Sequence, residues 1–156
     1  MMKAIGAALL LLSSMAAQNN SPVTATGAFF ALSVSDLKAS TQWYEQKLGL
    51  KVVKQVPKKD GVAVATLEGG GLMVELIERD GAVSLMKAAP MVKDNTYLEG
   101  IFKAGAIVDD FEKTVASLKS HGVEIAYGPF AAKGSEPANV IVRDNDGNLI
   151  QFFGKK

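Results

Sequence analysis

The chain of 156 residues contains no cysteine. That one absence excludes disulfides, thiolate metal sites and cysteine nucleophiles. It contains a single histidine, His121, so a Ser-His-Asp arrangement has only one residue to be built around, and the pattern brings no serine to it. No sign of charge dominates either. With 17 basic and 16 acidic side chains interspersed, the chain lacks the electrostatic footprint that nucleic acids or anionic membranes select. The one dense basic run, "KQVPKKD", reads as a solvated loop. Long apolar runs are missing as well. The longest at the N-terminus covers residues 5–12, far short of the roughly 20 needed to span a bilayer.

That short run has a different meaning. "MMKAIGAALLLLSSMAAQ" carries one lysine, Lys3, then the apolar stretch, then small residues. Ser14-Met15-Ala16 fits the small-x-small pattern of a signal-peptidase site, with Ala17 as another last residue. Residues 1–17 are therefore expected to be a cleaved export signal, giving a periplasmic or secreted protein with no membrane attachment afterwards. Without Lys3 the basic side chains fall to 16, against 16 acidic. An oxidising compartment is compatible with a chain that has no thiol to protect. Residues 18–26 read as a linker and 27–156 as the folded domain.

Within that domain the chain repeats itself. "FFALSVSDLKASTQWYEQKLGL" returns as "KAGAIVDDFEKTVASLKSHGV", with Asp36 matching Asp110, Leu37 matching Phe111, Ser40 matching Thr114 and Tyr44 matching Leu118 at one fixed offset. Each Asp follows an alternating apolar strand and can cap a helix through its carboxylate. Leu37, Tyr44 and Leu48 recur at helical spacing, as do Phe111, Val115 and Leu118, so each helix has one apolar face. A glycine-rich hairpin, "VAVATLEGGGLMVELI", follows the first helix, and "NVIVRDNDGNLIQFF" follows the second. With "LKVVKQV" and "VEIAYG" as the remaining strands, each half reads strand–helix–strand–strand–strand. The expected class is α+β, two βαβββ modules in tandem at about residues 27–78 and 100–154. The linker, 79–99, carries a short helix around residues 83–89. One helix covers one face of each sheet, so the other faces are expected to meet around a cleft.

The motifs "LSVSDLKASTQWYEQKLGL", "VDDFEKTVASLKSHGVEI" and "DNDGNLIQFF" resemble the vicinal oxygen chelate superfamily, which includes glyoxalase I, extradiol dioxygenases and bleomycin-resistance proteins. The resemblance covers the chain from about Gly27 onward. It implies one divalent metal in the cleft, held by residues of the first and fourth strands of each module. Homodimerisation, with or without exchange of modules between chains, is a further implication. Counting back from Asp36 and Asp110 gives Phe29 and Lys103 at the first-strand positions. Counting on from Gly71 and Gly147 gives Glu75 and Gln151 at the fourth-strand positions.

Those four side chains depart from the family pattern. A phenyl ring has no lone pair for a metal, an ammonium is a donor only, and a glutamine carbonyl is a weak ligand. Glu75 alone remains, whereas transition-metal sites want several imidazole, thiolate or carboxylate ligands. No metal or other cofactor is expected, and His121 reads as a surface residue at a helix C-terminus. The leading expectation is a metal-independent domain of the bleomycin-resistance kind. It would bind a small organic ligand through Phe29, Glu75, Lys103 and Gln151, and would not be an enzyme. One alternative is a glyoxalase-type lyase or isomerase with Glu75 as catalytic base and a weakly held metal or none. Export would cut a glutathione-dependent version off from the cytosolic thiol pool. Another alternative is a structural or interaction domain whose cleft is filled by side chains. The competing expectation for Lys103 and Glu75 is that they pair with each other in place of binding anything. Met73, Phe102, Phe152 and Phe153 are candidates for an apolar pocket, and Met86 and Met91 for an adaptable flap.

Overall fold

The computed structural model describes residues 29–92 and 99–155. The expected export signal and the linker at 18–26 lie outside them. Eleven elements follow in order: β1 (Phe29–Val34), α1 (Leu37–Leu48), β2 (Lys51–Lys59), β3 (Val62–Gly69), β4 (Leu72–Arg79), α2 (Leu85–Ala88), β5 (Lys103–Val108), α3 (Phe111–Ser120), β6 (Glu124–Phe130), β7 (Asn139–Arg143) and β8 (Leu149–Gly154). They form two four-stranded sheets of identical topology, β1-β4-β3-β2 and β5-β8-β7-β6. Each is one βαβββ module with its first and last strands parallel and the others antiparallel. No described helix is long and apolar enough to cross a membrane.

The helices start where the sequence places their caps. Asp36 accepts a hydrogen bond from the Ala39 amide at 2.9 Å, and Asp110 accepts from Lys113 at 2.9 Å. A second carboxylate reaches α1 from the sheet, Glu78 Oε2 accepting from the Leu37 amide at 2.9 Å. Two acceptors at one helix start satisfy amides that have no partner within the helix and complement the positive end of its dipole.

Alternation along the strands then sorts the side chains. Val74 and Leu76 of β4 join Ala63, Ala65 and Leu67 of β3 under α1, and Val140, Val142, Ile150 and Phe152 lie under α3 in the second module. Complete burial of a side chain such as Leu76 is worth about 1.5–3 kcal/mol. The β3–β4 hairpin closes through Gly70 and Gly71, both at positive φ, which a two-residue hairpin turn requires.

One local expectation is corrected. "KQVPKKD" is not a loop but the end of β2, an exposed edge strand whose register shifts between Val56 and Lys59 around Pro57. Proline and lysines suit an edge, because no further strand has to pair there.

Candidate functional site

The first and last strands of each module place the four selected positions on the sheet faces opposite the helices. Phe29 pairs in register with Met73, and Glu75 stands between Ala31 and Thr66. Lys103 pairs with Leu149, and Gln151 stands between Gly105 and Ile141. Gly105 is obligatory here, because a methyl group at that position would overlap the carbonyl oxygen of Gln151.

The expectation that these two faces meet around a cleft holds at one end only, where Ala31 and Ser33 of the first sheet and Ile141, Arg143 and Leu149 of the second border one cavity; the four selected positions lie outside it. Phe29 is 65 % exposed, and Ile107, on the corresponding face of β5, is 74 % exposed. Among the described residues Lys103 forms no ion pair with Glu75. Its ammonium instead sits 5.2 Å from the centre of the Phe102 ring. Gln151 is only 7 % exposed, and its amide donates to Asn139 Oδ1 at 3.0 Å.

The modules are joined elsewhere, through α1 and the β7–β8 turn. The Tyr44 hydroxyl donates to Asp144 Oδ2 at 2.9 Å. Asp146 accepts from the Ser35 amide and hydroxyl through Oδ1, at 3.2 and 2.5 Å, and from the Ser40 hydroxyl through Oδ2, at 2.7 Å. Asn145 donates to Ser40 Oγ at 2.9 Å. The physical reason is satisfaction of buried charge: two carboxylates on a tight turn need donors, and the start of α1 supplies them. Burial first, and then the Asp144 carboxylate, hold the Tyr44 phenol well above its ordinary range.

Beside this junction lies a cavity of about 770 Å³. Residues 31–34 of β1 with Ser35 after it form one side, Ile141, Arg143 and Leu149 of the second sheet another, and residues 82–85 at the start of α2 a third. Phe102 and Tyr127 add aromatic surface. None of Phe29, Glu75, Lys103 and Gln151 lines it. Of its lining residues only Arg143 and Asp146 carry charge. Arg143 Nε donates to Glu124 Oε1 at 3.2 Å and Nη1 to the Gly147 carbonyl at 3.3 Å.

Sequence reasoning selected Phe102 for such a pocket but missed Arg143, Tyr127 and the β1 backbone. The "DNDGN" motif was the available signal, since its carboxylates had to find donors somewhere. Of the other pocket candidates, Phe152 is core, Phe153 is half-buried and Met73 lies on the uncovered face of β4. Met91 is exposed.

The donor set does not fit a divalent metal. Among the described residues no three His, Asp or Glu side chains gather within reach of one ion. At the four family positions Glu75 is the only carboxylate, and Gln151, whose Nε2 donates to Asn139, offers only a neutral carbonyl oxygen. His121 terminates α3 on the surface, with Nδ1 2.8 Å from the Ser117 carbonyl. A serine does stand beside it, contrary to expectation: Ser120 Oγ is 3.3 Å from His121 Nδ1. That hydroxyl also donates to the Ser117 carbonyl at 2.9 Å, as serines near helix ends commonly do.

The geometry has counterparts among known proteins. The family model of the Glyoxalase/Bleomycin resistance protein/Dioxygenase superfamily matches residues 28–152. Among solved structures, a glyoxylase/bleomycin resistance protein/dioxygenase domain from Frankia sp. EAN1pec superposes with a TM-score of 0.66 at 19 % identity, covering 86 % of this chain and 94 % of its own. An antibiotic binding protein from Streptomyces sp. CB03234 gives 0.57 at 18 % identity, covering 85 % and 98 %. The trypanothione-dependent glyoxalase I of Leishmania major gives 0.56 at 24 % identity, covering 81 % and 84 %. No curated protein matches the chain.

Proposed function

Given that the chain belongs to the Glyoxalase/Bleomycin resistance protein/Dioxygenase superfamily, we propose that it binds a small organic ligand in the cavity between its modules, without a metal and after export. The observation that carries this reading is the cavity itself. At about 770 Å³ it falls in the range of small-molecule sites, and it joins an apolar and aromatic lining to a few polar groups. A domain whose cleft were filled by side chains would lack it. The unsuitable donor set at Phe29, Glu75, Lys103 and Gln151 supports binding without metal chemistry. So does the likeness to an antibiotic binding protein.

The test is a thermal-shift screen of a small-molecule library on the mature protein, repeated on Ser33→Trp. Ser33 lines the cavity from β1, and an indole there projects into it and takes up part of the space a ligand needs. Hits that stabilise the natural protein and are lost in the variant support the reading. A screen without hits, or hits indifferent to Ser33→Trp, refutes it. Export is tested by N-terminal sequencing of protein recovered outside the cytosol, which should begin after Ala16 or Ala17.

A glyoxalase-type lyase is the second reading, favoured by one observation. Glu75 is half-buried on an uncovered face and forms no ion pair among the described residues, so its carboxylate is available as a base. For the uncovered faces we propose a second copy of the chain as partner. It would set Phe29 and Glu75 of one copy against Lys103 and Gln151 of the other. Sedimentation should then show a dimer, and Phe29→Asp should shift it to monomer; a monomeric natural protein refutes the pairing.

A further inference from the structure

We infer that the ligand of the inter-module cavity is a small aromatic carboxylate, with its anionic group held by Arg143 and its ring against Phe102 and Tyr127. This rests on the ligand-binding reading of that cavity and names its chemical class.

The argument starts from the two charged residues in the lining. Asp146 is saturated. Its Oδ1 accepts from the Ser35 amide and hydroxyl, and its Oδ2 from Ser40 Oγ and from Asn145 Nδ2 at 3.3 Å. Those bonds hold the modules together, so Asp146 has little capacity left for a ligand cation. Arg143 differs. Among the described residues its guanidinium donates through Nε and Nη1 only, leaving both N–H groups of Nη2 without a protein acceptor. A guanidinium presents five donors in a planar fork suited to a carboxylate.

The existing partner of Arg143 does not block this. Glu124 is 66 % exposed, and Arg143 is 38 % exposed, so their ion pair is a solvated one of small net worth. A ligand carboxylate entering from the cavity can take Nη2 without displacing it. The bond to the Gly147 carbonyl fixes the guanidinium against the turn that also carries Asp146.

The rest of the lining describes the body of the ligand. Phe102 and Tyr127 offer two aromatic surfaces, and Val83, Leu85, Ile141 and Leu149 offer aliphatic ones. Rings bury well against such walls and stack at offset or edge-on geometries. A purely aliphatic or polyhydroxylated anion would leave this surface poorly used, and a cation would face Arg143.

Isothermal titration with 2-naphthoate and with 2-naphthamide, which share a ring system and differ in charge, tests the assignment. The natural protein should bind the carboxylate at least about tenfold tighter than the amide, the scale of one charge-assisted hydrogen-bonded contact. Arg143→Gln should erase that preference, and Arg143→Lys, which keeps the charge but loses the fork, should retain part of it. Ser33→Trp should abolish both. Equal affinity for the two probes in the natural protein, with both lost in Ser33→Trp, overturns the anion assignment and leaves the cavity as a ligand site. Naphthoate binding that survives Ser33→Trp overturns both, because the probe then sits elsewhere. Failure of the naphthoate to bind overturns the aromatic-carboxylate class, while the library screen on the natural protein decides separately whether the cavity takes any ligand.

Discussion

The hydroxyl of Tyr44 and the carboxylate of Asp144, 100 residues apart in the chain, meet at 2.9 Å in the buried seam between the two modules. Asp144 also accepts from the amides of Asp146 and Asn148 at 3.0 and 2.8 Å and from the Asn148 side chain at 2.9 Å. The turn is thus preorganised by its own residues, and Tyr44 completes it from the other module.

Tyr44→Phe removes one donor from a buried carboxylate and leaves the ring packing in place. The expected loss is about 1–3 kcal/mol in urea unfolding. The same variant should change the alkaline limb. The phenol is held above its ordinary range, so the folded state keeps a proton that the unfolded chain releases above pH about 10. Stability from this group is complete below that pH and falls as the pH rises beyond it. Tyr44→Phe should remove its share of that slope; an unchanged alkaline limb would show that the phenol is not buried against Asp144.

Glu78 gives the opposite sign. The Leu37 amide first, and Lys58 second, hold its carboxyl below the usual range. A lowered value in the folded state means stability that is present above the ordinary carboxyl pKa of about 4.3 and lost as the pH falls through the folded one. Glu78→Gln keeps an acceptor for the Leu37 amide and loses the charge. Its melting temperature should be less sensitive to pH below about 5 than that of the natural protein. Parallel acid limbs for the two proteins would remove Glu78 from the account.

Gly105→Ala should destabilise the second module. A Cβ there overlaps the Gln151 carbonyl oxygen, so β5 must move away from β8. The cost is on the order of 1–3 kcal/mol, as for other forced overpacking. Chemical denaturation checks it, and a midpoint equal to that of the natural protein would mean the two strands are not held at this distance.

Elemental analysis of mature protein purified without chelator or metal-affinity resin tests whether the protein works without a metal. After dialysis against zinc, nickel, manganese and iron, we expect no stoichiometric metal. Bound metal that survives dialysis would overturn the ligand assignment at Phe29, Glu75, Lys103 and Gln151. If the lyase reading holds instead, Glu75→Gln should lower turnover of methylglyoxal-derived substrates by at least about a hundredfold and remove the acid limb of the pH–rate profile, where protonation of the base would cut activity.

Much of the fold was legible because its signals are local. Asp36 and Asp110 cap helices through bonds to amides three residues on, and the alternation in "VAVATL" and "NVIVR" assigns a core face without reference to anything distant. Misreading "KQVPKKD" had a local cause too, since proline and lysine mark loops and edge strands alike.

The candidate site was only partly legible, for a different reason. Counting from the repeat located Phe29, Glu75, Lys103 and Gln151 at equivalent points in the two modules, with one carboxylate among their side chains. Nothing in the repeat says how one module sits against the other. That was decided by long-range satisfaction of charge, with Asp144 and Asp146 taking donors from Tyr44, Ser35 and Ser40. The sequence by itself determined two βαβββ modules and the chemistry available at each strand position, because periodicity and capping act over a few residues. Only the tertiary structure decided that the uncovered faces approach at one end, where a cavity opens beside Arg143, because that geometry depends on partners about 100 residues away.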